Sequence, residues 1–211
     1  MCGLKYIKTM VIVLMIIVGV FFGYQAFAEN NNKNNKSKED ISNFLTEHTD
    51  LQFVFLLPVI DEQVKLKITI PKSFKALEGD PNAPLLEFIP KTDQDPYKWS
   101  EIITLNKILG SGVTAPDYMQ KMEALYLKST DPNAKIVESN KHIYENFQDA
   151  SSIIQYRSNG RDEVVMLYSV SGPMDIANVQ YALPLSSPQA LNDTVQKLKD
   201  FMKSNVEIVR Q

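Results

Sequence analysis

The stretch Ser151–Val170, SSIIQYRSNGRDEVVMLYSV, constrains this chain more than any other. Two runs rich in aliphatic and aromatic residues meet at Ser158-Asn159-Gly160-Arg161. A two-residue type I′ turn needs positive φ at both central positions, and Asn followed by Gly tolerates that at least cost. The spacing therefore predicts a β-hairpin. Because an isolated hairpin is marginal in water, the pair is expected inside a larger antiparallel sheet, as scaffold for whatever site the chain carries.

The flanks supply the other strands. Leu51–Pro58 is a continuous apolar run closed by Pro58, and Val64, Leu66, Ile68 and Ile70 alternate with Lys65, Lys67 and Thr69. That period of two predicts a second hairpin with one wet face. Residues 71–84, punctuated by Gly79, Pro81 and Pro84, read as loop, and Leu85–Ile89 as a short strand closed by Pro90. Tyr97–Leu105 reads as a strand bearing the single tryptophan, Trp99. Lys135–Glu138 and Lys141–Gln148 read as two weak strands joined by a Ser139-Asn140 turn. After the hairpin, Gly172-Pro173 turns the chain, and Ala177, Val179, Tyr181 and Leu183 alternate as a third consecutive strand.

Two helices are well marked. Thr114 is placed to cap the first, Pro116 falls in its opening turn, and Tyr118, Met122, Leu125 and Tyr126 share a face, with Met119 beside it. Asp131-Pro132-Asn133 ends it. Ser187 is expected to cap the second, with Pro188 first and Leu191, Val195, Leu198 and Met202 along one side, so that it lies across the sheet. The resulting class is α+β, an antiparallel β-sheet with helices packed on it.

The N-terminus speaks to location. Lys5 and Lys8 precede an apolar run, Met10–Phe22, and an A-x-A site at Ala26-Phe27-Ala28, which together read as a signal peptide cleaved after Ala28. The alternative is an uncleaved anchor, because no charge falls between Thr9 and Ala28 and a membrane helix needs about 20 apolar residues. Cys2, the sole cysteine, precedes the apolar run, so it is not a lipoprotein cysteine and cannot form an internal disulfide. Both readings export the folded portion, to the periplasm or the medium, or tethered to the inner membrane facing the periplasm. Glu29–Asp40, ENNNKNNKSKED, lacks any apolar residue and reads as a solvated tether, followed by a short helix at Ile41–His48. The expected organisation is a leader or anchor at 1–28, a tether with a short helix at 29–50, and one α+β domain at 51–211.

Charge narrows the function. The 22 basic residues fall to 20 without Lys5 and Lys8, against 25 acidic ones, which argues against nucleic acid as a partner, since phosphate contacts need clustered Lys and Arg. Thr92–Pro96, TDQDP, spaces two aspartates as some calcium loops do, but lacks the glycine and terminal glutamate of such a loop and reads as a solvated turn. Lys107–Thr114, KILGSGVT, leads into a helix whose free N–H groups suit an anion, yet has no Gly-Lys-Ser/Thr and reads as a flexible connector. His48 and His142 stand without a nearby second ligand or base partner in sequence. A hydrolase built from Ser111 or Ser169 with His142 is the rival reading, although no G-x-S-x-G elbow is present. No catalytic residue, metal site or cofactor is assigned. The expected binding surface is the 91–114 region, with Tyr97, Trp99, Gly110, Ser111 and Gly112 as candidates, because recognition residues concentrate on loops held by a rigid sheet. For Trp99 a core-anchoring role is favoured over a ligand platform.

In its order of elements the chain resembles the PsbP-like fold shared with the Ran-binding Mog-type proteins, and among exported bacterial proteins the DcrB-type members. The resemblance is carried by the strand running into Ile70-Pro71-Lys72-Ser73-Phe74, the Trp99 segment, the Pro116–Leu127 helix, and the hairpin, strand and helix after Ser151. It implies an α/β/α sandwich and an accessory or binding role, toward a protein or small ligand that the sequence does not specify; that this role is non-enzymatic is expected from the leader and from the lack of an acid, base, nucleophile or metal cluster in the sequence. Exported members are often lipoproteins, and the missing lipobox departs from that pattern.

Overall fold

Alternation along the central strands sends apolar side chains to both faces, and the fold follows from having to cover each. The computed structural model describes residues 50–59, 62–77, 85–131 and 133–210. The leader, the tether, the Ile41–His48 helix and the Gly79–Pro84 part of the predicted loop lie outside the described residues. Strands β1 (Leu51–Val59), β2 (Glu62–Ile70), β3 (Phe74–Ala76), β4 (Leu85–Pro90) and β5 (Ile102–Ile108) precede helix α1 (Ala115–Leu125). Then come β6 (Lys135–Ile143), β7 (Gln148–Ser158), β8 (Arg161–Ser171), β9 (Ile176–Pro184), helix α2 (Leu191–Asn205) and β10 (Val206–Arg210). They form a seven-stranded antiparallel sheet in the order β3-β4-β5-β9-β8-β7-β6 and a three-stranded one in the order β1-β2-β10. The protein is α+β, as its patterning predicts.

The predicted turn is present. Asn159 and Gly160 both take positive φ, 53° and 80°, and Ser158 pairs with Arg161 across them. On β7, β8 and β9, residues such as Ile153, Val164, Val170 and Val179 join β2, the small sheet and α2 in one core, with Leu198 and Met202 buried from the helix. Their neighbours Ile154, Val165, Leu167 and Ala182 face α1, which contributes Ala115, Met119 and Met122. Both faces are thus buried over β7 and β8, and α1 packs on those two strands. Toward β4 and β5 the α1 side stays partly open, with Glu87, Thr104 and Gln180 half-buried there.

Cap chemistry explains where α1 begins. The Thr114 hydroxyl accepts from the Asp117 N–H at 3.2 Å, and Ser171 Oγ accepts from the Ala115 N–H at 2.8 Å, so two of the four donors orphaned at a helix start are satisfied. A π-type turn at Tyr126–Thr130 extends the helix before Asp131 becomes extended. At α2 the cap differs from expectation: Pro188–Ala190 is a 3₁₀ turn, Ser187 makes no side-chain cap bond, and the α-helix starts at Leu191.

Three further segments depart from the sequence reading. Tyr97–Leu105 is not one strand; β5 starts only at Ile102, because the Asp93 carboxylate accepts from both the backbone and the hydroxyl of Ser100 and holds the segment before it as a loop. Lys135–Ile143 is a single strand rather than two, since the ladder with β7 runs past Ser139-Asn140 and absorbs an irregularity between Ile136 and Glu138. Pro58 does not end β1, which continues to Val59; β1 is an edge strand, where a missing N–H is tolerated. The β1–β2 hairpin itself is formed as predicted, Leu51 opposite Ile70. The C-terminal strand β10, absent from the sequence reading, pairs with β2.

Candidate functional site

The segment ahead of β5 is a loop fastened by short carboxylates. Asp95 Oδ1 accepts from the Tyr97 N–H at 2.9 Å, and Asp93 takes Ser100, so the TDQDP carboxylates act as turn staples. This folds residues 96–99 over the α1 side of the sheet, opposite the β7–β8 turn. Between them lies a recess of about 460 Å³ lined by Glu87, Tyr97, Trp99, Tyr156, Arg161 and Glu163, among others.

Arg161 organises that recess. Its guanidinium donates to Glu163 Oε1 from Nε at 3.0 Å and from Nη2 at 2.8 Å, and to the Trp99 carbonyl from Nη1 at 2.9 Å. It also stacks on the Trp99 ring, 4.1 Å from the centroid. The Glu163 side chain is only 5% exposed, and its second oxygen accepts from the Tyr156 hydroxyl at 2.5 Å. Tyr156 meets Tyr126 edge-on at 4.8 Å. Burial pushes both phenols well above their ordinary range, and the Glu163 charge adds to the effect at each. The result is a continuous polar and aromatic chain from beneath α1 to the rim. Glu87, at the other side of the recess, is raised by burial alone, with no ion pair or hydrogen bond among the described residues to offset it.

The structure separates the sequence candidates into two groups. Tyr97, 78% exposed, and Trp99, half-buried against the α1 core, are on the recess. Trp99 thus combines core packing with a place on the wall. Gly110, Ser111 and Gly112 stand at the opposite end of β5, roughly 20 Å away for a seven-residue strand. There the connector is fastened rather than flexible. Gly110 N–H donates to Asp175 Oδ1 at 3.0 Å, Gly112 N–H to the Met174 carbonyl at 3.2 Å, and Lys107 pairs with Asp175 at 2.9 Å. Positive φ at Gly110 and Gly112 permits this path. The N–H groups of Gly110, Gly112, Val113, Ala115 and Asp117 are all engaged within the protein, which takes most of the donors an anion cradle would use.

The serine–histidine combinations are not assembled. Ser169 sits on the α1 face, bonded to Asn178 at 2.6 Å, whereas His142 is in the row of Asp149 and Val170 on the other face. Ser111 is four strands away across the sheet, roughly 19 Å. His142 Nδ1 instead meets the buried Asp149 carboxylate at 2.7 Å. Among the described residues no group of three or more His, Cys, Asp or Glu is placed to hold a metal ion, and no helix is long and apolar enough to cross a membrane.

Sequence reasoning missed Glu87, Tyr156, Arg161 and Glu163. A signal existed for one of them: Glu163 shares its side of the strand with Val165 and Leu167, where a carboxylate needs a partner. Its partner, Arg161, is the last residue of the turn motif and was read only as turn.

No family model matches the chain, and no curated protein matches it. Among solved structures it is similar to the Ran-binding protein Mog1p of Saccharomyces cerevisiae, 11% identical, covering 67% of this chain and 89% of that one, with a TM-score of 0.48. It is also similar to LpqN of Mycobacterium tuberculosis, described as involved in cell envelope biogenesis, 11% identical over 80% and 96% of the two chains, TM-score 0.47. A third is the cyanobacterial PsbP of Synechocystis, 12% identical over 68% and 86%, TM-score 0.42. Mog-type and PsbP proteins, two of the three groups named in the sequence resemblance, are among these structures.

Proposed function

We propose that this chain is an exported bacterial accessory protein that binds a partner or small ligand in the recess between residues 96–99 and the β7–β8 turn, without turning it over. The observation that carries the reading is Glu87, a half-buried carboxyl raised by burial and left uncompensated beside the exposed ring of Tyr97. Burying such a group costs free energy that an incoming hydrogen-bond donor would recover. Arg161 and Glu163 fix the Trp99 wall in advance, which lowers the ordering cost of binding. Export is supported by the Lys5/Lys8, Met10–Phe22 and Ala26-Phe27-Ala28 pattern.

Site-specific photo-crosslinking in the producing cell tests the reading. A benzophenone side chain at position 97 is expected to capture an envelope component that the same group at Lys121, on the outer side of α1, does not. Equal capture from both positions would overturn it. Intact mass of the recovered protein decides the location: a species beginning at Glu29 fits cleavage, and a membrane-bound species retaining Met1 makes the protein a tethered one.

A further inference from the structure

We propose that the recess continues onto the open part of the sheet as a shelf for a neutral oligosaccharide, with Glu87, Thr104 and Gln180 as its hydrogen-bonding row and the Trp99 and Tyr97 rings at one end. This rests on the recess reading above and adds the chemistry of the ligand. In the β4–β5–β9 register Glu87 stands directly opposite Thr104, and Thr104 opposite Gln180. Directly opposed residues share a face, so the three side chains form a row spanning roughly 10 Å. All three are half-buried, on the side that α1 leaves partly open.

The polar character continues one step along the same face. Asn106 lies opposite Asn178, both are at least nine-tenths buried, and although Asn106 bonds the Tyr118 side chain and Asn178 accepts from Ser169, Asn106 Oδ1 and Asn178 Nδ2 have no hydrogen-bond partner among the described residues. Buried amide groups are ordinarily satisfied.

The donor and acceptor pattern selects the ligand class. Ionised Glu87 only accepts, whereas the Thr104 hydroxyl and Gln180 amide both donate and accept. A sugar hydroxyl can answer each of these, and the C–H face of a pyranose suits the exposed Tyr97 ring, while Trp99, stacked under Arg161, senses the site from its edge. An anionic ligand fits poorly. Arg161 is already committed to Glu163 and Lys98 faces Asp95, while Glu87 would repel it.

Trp99 is the only tryptophan in the chain, so its emission reports the site alone. The full chain, held in a detergent whose headgroup carries no sugar, is titrated with chitotetraose, maltotetraose and mannotetraose, and separately with tetralysine and inorganic phosphate. A saturable emission change is expected with at least one of the oligosaccharides. Glu87→Gln and Gln180→Ala, each checked to unfold no earlier than the parent on heating, should weaken it by about tenfold or more, the loss of one good hydrogen bond to a charged or amide group. Lys121→Ala should leave it unchanged. Saccharide binding that survives both shelf variants overturns the shelf. A response to tetralysine or phosphate and to none of the sugars overturns the sugar chemistry while leaving the recess as the binding site. Silence toward every probe, with equal crosslinking from positions 97 and 121, removes both.

Discussion

Replacing Arg161 with alanine leaves Glu163 almost fully buried without its cation, and the structure sets the expected size of the effect. The change deletes two N–H donors to Glu163, at 3.0 and 2.8 Å, one to the Trp99 carbonyl, and the stack on the Trp99 ring. Breaking a buried ion pair by removing one partner costs about 3–5 kcal/mol, most of it the stranded charge. Arg161 is 32% exposed, against 5% for Glu163, so water screens part of the interaction and brings the cost to the bottom of that range or a little below it, about 2–3 kcal/mol. Adding Glu163→Gln removes the charge while keeping an acceptor for Tyr156, so the double variant should recover about 1–2 kcal/mol of that loss. Urea unfolding followed by circular dichroism gives the stabilities, and Trp99 emission in the same samples should shift to the red in both variants. If Arg161→Ala lies within about 0.5 kcal/mol of the parent, or Glu163→Gln adds to the damage instead of relieving it, the stranded-charge reasoning is wrong.

Two further outcomes follow from the same structure. Glu87 is raised above its ordinary value of 4.5, so the folded state holds its proton more tightly than the unfolded chain does; its contribution to stability is greatest in acid and falls as pH rises above that value. Glu87→Gln should therefore be more stable than the parent at pH 7, with the difference shrinking as pH falls toward 4.5, and a variant less stable at both would contradict the burial account. Leu198→Ala, at a fully buried position where α2 meets the sheet, should lose about 2–5 kcal/mol in urea unfolding, and a loss under about 1 kcal/mol would mean that α2 is not part of the core.

What could be seen in the sequence was what local chemistry decides. Asn159-Gly160 allows one turn geometry, Val64–Ile70 alternates strictly, and Thr114 with Pro116 marks a helix start, and each element is where those signals put it. What was hidden depends on distant partners. Ser139-Asn140 looks like a turn until β7 pairs along its whole length, and Val206–Arg210 follows α2 with no intervening turn residue, so nothing local separates it from a fraying helix end. The site was half visible for the same reason. Tyr97 and Trp99 stand out as aromatics beside a loop, but Arg161 reaches Trp99 across 62 residues of chain and Glu87 joins them only through the β4–β5 register. Gly110, Ser111 and Gly112 looked equally suitable, and what sets them apart is that β5 carries them to the other end of the sheet.

That difference between the two ends of β5 is also where the account is most exposed. Hydrogen exchange of the protein within envelope extract, compared with the purified full chain, reports which backbone segments are covered by whatever it binds. Added protection is expected over residues 87–104 and 158–163, around the recess, with residues 109–114 and 172–175 unchanged. Protection concentrated on 109–114 and 172–175 instead, or none at the recess, would contradict it.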